Sequence, residues 1–458
     1  MFKPMQLSQL LAPLQGSLHG ADVEFSVLGT DSRKVIRGQL FVALRGEFFD
    51  GHDYLADVAK RGAAAAVVEE LQPEVNIAQI CVADTRLALG HIALLNRQQF
   101  TGPAVAVTGS SGKTTVKEML ASICRSALGS QAVLATRGNL NNELGVPFTL
   151  LELNGQHRAA VVELGASRPG EIAYTAALVQ PQVAVISNAG MAHAGEFGGP
   201  EHIILAKGEI LDGLTAAQTA VLNLDDPAFA QWRARNSLCQ VLSFSTKNSA
   251  ADIYASDINS NAQGRMGFNL QGVAGECFIQ LAVLGLHNVS NALAAVAAAH
   301  ALGMPLTAIQ EGLESMKAIS GRSVVHECAN HVQIIDDSYN ANPASIRAAI
   351  DVLQTMPGQR VLVLGDMGEL GAWAEQEHAQ VGVYANGKVD AVFAVGPLMQ
   401  HAIAQYSGVS GHFLAQNSLI EALLAQVSGP ATLLIKGSRG AAMENVVNAL
   451  RTGLGDAL

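Results

Sequence analysis

Residues 104–115 read Ala-Val-Ala-Val-Thr-Gly-Ser-Ser-Gly-Lys-Thr-Thr: an apolar run, Ala104 to Val107, followed by the turn Thr108, Gly109, Ser110, Ser111, Gly112, Lys113, Thr114 and Thr115. Downstream, Val116, Met119, Leu120, Ile123 and Ala127 recur on one face of an expected helix. Strand, glycine loop, helix is the order of a phosphate cradle. Glycines let backbone N–H groups turn inward around phosphate oxygens, the helix N-terminus adds a favourable dipole, Lys113 brings positive charge, and Thr114 offers a hydroxyl to Mg2+. The reading predicts a bound nucleoside triphosphate. The spacing departs from G-x-x-x-x-G-K-[ST], because Val107 stands five before Gly112 and the first glycine is Gly109. The alternative is an ordinary strand-to-helix turn that contains Gly and Lys.

From this loop the pattern extends both ways as an α/β protein of three domains. A chain of 458 residues suggests that number at about 150 residues each. Residues 1–83 form an opening unit with short strand-like runs at 40–44 and 64–68, and a helix is expected over 85–99. Residues 84–315 hold the apolar runs AVAVTG, AAVVELG, QVAVISN and TAVLNLD, separated by helices, which read as buried parallel strands. Between 250 and 284 the pattern alternates, so antiparallel strands are expected to extend that sheet, before an alanine-rich helix at about 289–301. Residues 316–458 repeat the alternation in HVQIIDD, RVLVLGD, DAVFAVG and ATLLIKG, a Rossmann-like third domain.

Composition removes several classes. Hydrophobic residues are 49% and charged residues 15% of the chain, which opposes large-scale disorder. A net charge of -11 opposes a broad grip on nucleic acid. The longest apolar run, 292–299, is far short of the roughly 20 residues that span a bilayer, and the first residues lack a signal peptide's apolar core. No stable membrane insertion is expected, and a cytoplasmic location is. Five widely spaced cysteines, without a C-x-x-C pair, read as reduced packing thiols.

In an open parallel sheet, ligands gather at the carboxyl ends of strands. Glu163 closes AAVVE and Asn188 closes QVAVIS, with His193 in the loop beyond. A carboxylate and an imidazole there suit Mg2+, whereas a solvated strand end and a structural histidine are the plain alternatives. Lys207, on an expected helix, reads by spacing as a surface lysine. Asn223, Asp225 and Asp226 before Pro227 are good turn chemistry. Asn288 and Asn291 either present amides to a base or cap their helix. Asp336-Asp337-Ser338-Tyr339-Asn340-Ala341-Asn342-Pro343 ends a strand and starts a helix, with Asn342 as N-cap and Pro343 at N1. Capping leaves two carboxylates, a tyrosine and Asn340 unexplained, so a binding role is expected there.

Taken in order, these residues resemble the Mur ligase family over essentially the whole chain. TGSSGKTT is that family's variant of the phosphate motif, followed by Gly138-Asn139-Leu140-Asn141-Asn142 with Gly145 and Pro147, Glu163-Leu164-Gly165-Ala166, Asn188, His193, Lys207, GLHNVSN, Gly321-Arg322 and DDSYNANP. The segments 336–343, 364–371 and 436–444 resemble the branch that takes D-alanyl-D-alanine. The resemblance implies that ATP activates the terminal carboxylate of UDP-N-acetylmuramoyl-tripeptide as an acyl phosphate, which the dipeptide amine then attacks. It implies catalytic roles for Lys113, Lys207 and His193, with Thr114, Glu163, His193 and a carbamylated Lys207 at Mg2+. Asn288, Asn291, Arg322 and Asp337 would join the phosphate loop around ATP. Asp31, Ser32, Arg33, Gly46, Asn139 and Asn141 would hold the UDP substrate, and Asn340 and Ser438 the dipeptide. The rivals are the branch adding the third amino acid, a folylpolyglutamate-type relative, and a P-loop kinase or nucleotide-driven switch. Lysine or diaminopimelate at the peptide's third position, and the oligomeric state, stay open.

Overall fold

The protein is described here from a computed structural model, covering residues 3–190, 194–261, 263–427 and 429–455. It divides into two compact units: Met1–Ala106, Leu128–Ala166 and Glu171–Gln182 form the first, and Val107–Ala127, Ser167–Gly170 and Val183–Leu458 the second.

In the first unit, five strands lie in the order Ser17–His19, Ala78–Cys81, Ala65–Val68, Leu40–Val42, Leu28–Gly29. Only the first of these pairings is antiparallel. Phe41, Ala43, Ala66 and Val68 pack on Leu55 and Val58, so the expected opening strands exist with slightly shorter bounds. Helix Thr85–Gln98 starts where Asp84 accepts from the amides of Arg86 and Leu87. Near its end, buried Arg97 donates to the carbonyls of Val179, Phe100 and Gln180, pinning it to the end of helix Glu171–Val179. Strands Val133–Ala135 and Ala159–Glu163 pair in parallel and bring Glu163 to a carboxyl edge.

In the second unit, Val183–Ile186, Thr219–Asn223, Gln240–Ser245 and Ile253–Ser260 run parallel in that order. Arg265–Gly272 and Cys277–Leu284 then extend the sheet antiparallel, as expected. Helix Leu286–Ala301 lies against these strands, and Ala292 through Ala299 are all fully buried. Small side chains let helix and sheet approach closely. The helix begins three residues earlier than the apolar periodicity suggests, so Asn288 as well as Asn291 lies inside it.

The C-terminal sheet has the order Val324–Cys328, Val332–Asp337, Ala431–Lys436, Gln359–Gly365, Ala391–Val395, Val409–Phe413. All pairings but the first are parallel. Side chains alternate between two cores: Ile335, Leu362, Leu364 and Leu434 pack with Ile346, Ile350 and Val381, while Ile334, Val361, Val363, Leu433 and Ile435 pack with Leu419, Leu423 and Val447. Burial on both faces is why these strands read as continuous apolar runs. Val324–Cys328 and Val409–Phe413, the edge strands, escape that signal. Among the described residues no helix is long and apolar enough to cross a membrane, and no disulfide joins the five cysteines.

Candidate active site

The phosphate loop follows the buried strand Ala104–Thr108 and runs into helix Lys113–Leu128. Gly109 and Gly112 have φ of 147° and 81°, a region costly for any side chain. Sterics demand glycine too. A Cβ on Gly109 would strike Ser187 Oγ, and one on Gly112 would strike Asn291 Oδ1.

A second turn, 187–190, clamps this loop. Ser110 N donates to Asn188 O and Ser111 N to Asn188 Oδ1, both at 3.0 Å. Asn188 Nδ2 and Ser187 Oγ donate in return to Ser111 O at 3.0 and 2.7 Å, and Ser110 Oγ donates to Gly190 O at 3.1 Å. The clamp is itself held: Asn223 Nδ2 donates to Ser187 O, and Asp226 accepts from Ala189 N at 2.8 Å. Asn223 and Asp226 also accept from the amides of Asp225 and Ala228, the turn chemistry read from sequence. Burial pushes the Asp226 carboxyl up despite its two amide donors. Asn188 thus grips the loop that carries Lys113, whose ammonium rests on the loop carbonyls of Gly109 and Ser110 at 2.7 and 3.4 Å.

Groups from beyond residue 280 converge on the same loop. Arg322 Nη2 donates to Thr114 Oγ1 at 3.0 Å, and Asn342 Nδ2 donates to Ser111 Oγ at 3.0 Å. Asn342 is also the expected N-cap: it accepts from Ser345 N, Ser345 Oγ accepts from Asn342 N, and Pro343 stands at N1. Asn291 Nδ2 donates to Asn288 Oδ1, and Asn288 Nδ2 to Leu284 O, so neither asparagine caps its helix. Asp337 does not stand alone. Its Oδ2 accepts from Lys436 Nζ at 2.5 Å and its Oδ1 from Ser323 N at 3.1 Å.

Lys436 is a residue the sequence reading left without a role. It is buried and also donates to Asn340 O at 2.9 Å, so it ties two strand ends together. The available signal was a lysine closing the apolar run ATLLIK in register with Asp337. Asn340 Oδ1 accepts from Ala341 N and Arg439 N, and Ser438 N donates to Asp366 O, so the two expected dipeptide residues share one sheet edge.

In the first unit, Glu163 is 2% exposed. Its Oε1 accepts from Asn141 Nδ2 at 2.8 Å and its amide donates to Thr136 Oγ1, while Oε2 is buried with no hydrogen-bond partner among the described residues. A solvated strand end is therefore ruled out. A buried carboxylate oxygen without a donor suits a cation. Asn139 is exposed and its carbonyl accepts from Asn141 N. Asp31 and Arg33 pair with each other on the surface, and Asp31 is held at about 2, first by the Arg33 guanidinium. Ser32 lies in the same turn, and Gly46 packs under the Phe49 ring.

The surface reading of Lys207 is corrected. Lys207 is not a surface lysine: it is 1% exposed, with its ammonium 5.3 Å from the centre of the Phe197 ring. His193 lies outside the described residues. Among the described residues no group of three or more His, Cys, Asp and Glu is assembled.

A clamped phosphate loop met by an arginine and an asparagine from a second α/β sheet is an arrangement suited to a nucleoside triphosphate. Sequence models agree: the Mur ligase middle domain matches residues 107–299, the Mur ligase glutamate ligase domain 321–439, and the Mur ligase family catalytic domain 24–97. The chain belongs to the Mur ligase family. It is 44% identical over 448 residues to the UDP-N-acetylmuramoyl-tripeptide--D-alanyl-D-alanine ligase of Escherichia coli (strain K12), spanning 97% of this chain and 98% of that one. Crystal structure I of MurF from Acinetobacter baumannii superposes with a TM-score of 0.93 at 40% identity, covering 98% and 99% of the two chains. The MurF ligase from Thermotoga maritima in complex with ADP gives 0.86 at 28% identity, covering 93% and 97%.

Proposed function

We propose that this chain joins D-alanyl-D-alanine to UDP-N-acetylmuramoyl-tripeptide with consumption of ATP, in the cytoplasmic stage of peptidoglycan precursor synthesis. The observation that carries the reading is the meeting of Arg322 and Asn342 with the phosphate loop at Thr114 and Ser111. The whole-length likeness to ligases of that substrate pair selects the reaction within this chemistry.

A carboxylate is a poor acyl donor, so its oxygen attacks the γ-phosphorus of ATP, the bond to the β-phosphate breaks, and ADP leaves. The dipeptide amine then attacks the acyl carbon, inorganic phosphate departs, and the amine gives up a proton. In the first step the protein's task is to stabilise phosphoryl charge. We assign this to the inward amides of the loop, to Lys113 turning from its own carbonyls to the triphosphate, and to Arg322. Asn288, Asn291 and Asp337 are assigned to the nucleoside, with Thr108 and Thr115 shaping the loop ends. Asp31, Ser32, Arg33, Gly46, Asn139 and Asn141 take the UDP substrate, Asn340 and Ser438 the dipeptide, and the domains 1–83, 84–315 and 316–458 divide these tasks.

The unpartnered oxygen of Glu163 fits a divalent cation. Mg2+ would be held by Thr114, Glu163, His193 and Lys207, and when bound it offsets phosphate charge and sharpens the γ-phosphorus as an electrophile. For Lys207 to serve, its ammonium loses one proton, the freed Nζ lone pair takes up CO2, and the carbamic acid loses a second proton, so that a cation becomes an anionic carbamate.

The test is a paired-substrate assay. ADP, phosphate and a new amide product are expected only when UDP-N-acetylmuramoyl-tripeptide and D-alanyl-D-alanine are present together, and a folded Lys113→Ala protein should lose turnover by about a hundredfold or more. A phosphorylated product with no amide, equal use of single amino acids, or near-normal ligation by Lys113→Ala would overturn the reading.

A further inference from the structure

We propose that Tyr339 is a positioning residue for ATP: its ring holds the guanidinium of Arg322 against the phosphate-loop hydroxyl of Thr114, so that the triphosphate meets a cation already in place. The inference rests on the nucleotide reading above and adds a residue that the reaction itself does not require.

Arg322 Cζ lies 4.4 Å from the centre of the Tyr339 ring, and Arg322 Nη2 is 3.0 Å from Thr114 Oγ1. Thr114 is the one hydrogen-bond partner of the guanidinium among the described residues, which leaves its other N–H groups for phosphate oxygens. A guanidinium with a single hydrogen bond has many rotamers to lose when a ligand fixes it. The ring removes that freedom in advance. A carboxylate would orient Arg322 as well, but it would also cancel the charge that the phosphates need. An aromatic face attracts the cation through its quadrupole and leaves the net charge intact.

The backbone is built to keep ring and guanidinium together. Tyr339 N donates to Gly321 O at 3.1 Å, and Gly321 has φ of 70° with its missing side chain's place only 3.1 Å from Tyr339 Cβ. On the other side of Arg322, Ser323 is forced to φ of 54° and its amide donates to Asp337 Oδ1. Asp337 is fixed in turn by buried Lys436, which also holds Asn340 O. Both neighbours of Arg322 are thus tied to the segment carrying Tyr339. Arg439 Cζ stands 6.0 Å from the same ring but is engaged with Glu444 at 2.7 Å.

The experiment measures ATP binding by calorimetry and steady-state kinetics for Tyr339→Leu and Tyr339→Phe, each alone and combined with Arg322→Met. Tyr339→Leu is expected to weaken ATP binding and raise the KM for ATP by about tenfold, with the KM for the dipeptide and the melting temperature unmoved. Tyr339→Phe, which keeps the ring, should stay within about threefold of the parent. In the Arg322→Met background Tyr339→Leu should cost nothing further. If Tyr339→Leu folds poorly, Tyr339→Met makes the same comparison. Unchanged ATP affinity, equal losses in the Phe and Leu variants, or a loss that persists without Arg322 would overturn the proposal. A parent protein that binds ATP but forms no amide would overturn the ligase reading and leave this one standing.

Discussion

At the scale of single residues, the site is a set of charges whose partners decide what they can do. Lys113 has carbonyls of its own loop within reach, and in the proposed reaction it exchanges them for phosphate oxygens. Glu163 has a buried oxygen that no donor among the described residues satisfies. Lys207 is the sharpest case, because it is 1% exposed beside an aromatic ring where its spacing in the sequence reads as a surface cation. If Lys207 works as a carbamate, what matters is an anionic oxygen at the end of its side chain. Lys207→Ala should then lose activity, by about a hundredfold or more if the group stabilises transition-state charge directly. Added short carboxylic acids, which bring that oxygen back into the vacated space, should restore part of it. Rates measured against increasing acetate or propionate decide the matter: full activity in the variant returns Lys207 to a packing role, and a dead variant with no response to acid removes the carbamate.

At the scale of elements, one helix start does two jobs. Helix Pro343–Gln354 is opened by Asn342, whose Oδ1 accepts from Ser345 N while its Nδ2 reaches Ser111 of the phosphate loop, 231 residues earlier in the chain. Asn342→Ala removes both and should lower stability by about 1 kcal/mol, read from urea melts, while raising the KM for ATP. Asn342→Ser keeps a good cap but is too short to reach Ser111. It is expected to recover the stability and leave the KM raised. Recovery of both together would mean that the contact with Ser111 is idle. The same helix marks what could be read in advance. Its cap, its Pro343 and its apolar stripe are local, so the sequence specifies them. The bonds Asn342–Ser111 and Arg322–Thr114 join residues 231 and 208 apart, and no local pattern announces them. Edge strands are hidden for a different reason. VVHEC and VSGHF have a strand neighbour on one side only and mix polar residues with apolar ones, whereas the central strands, buried on both faces, read plainly. Lys436 was visible as a residue but not as a partner, because its meaning lies in the register that sets it opposite Asp337.

For the molecule as a whole, acid should unfold the protein through carboxylates that the fold keeps ionised. Asp50 accepts from the His52 amide and imidazole and from Arg45; burial works against its charge, but these donors outweigh it and hold it at about 2, below the ordinary 3.8. Asp31, beside Arg33, sits at about 2 as well, and Asp390 is lowered by Arg360. In each case the unfolded chain takes up its proton first as pH drops. For Asp31 and Asp50 the stabilisation is therefore complete above about 3.8 and lost as pH falls through about 2. Asp226 has the opposite sign, since burial raises it: its contribution is complete below 3.8 and declines as pH rises through its folded value. The depressed groups outnumber it, so the acid limb of stability should slope downward with falling pH. Asp50→Asn isolates one share of that slope. Its melting temperature should lie below the parent's at neutral pH, and the gap should close between pH 3.8 and about 2, where the parent's Asp50 is also losing its charge. Thermal melts of both proteins across that range provide the check, and a gap that stays constant would mean that Asp50 stabilises the opening sheet through geometry rather than through its charge.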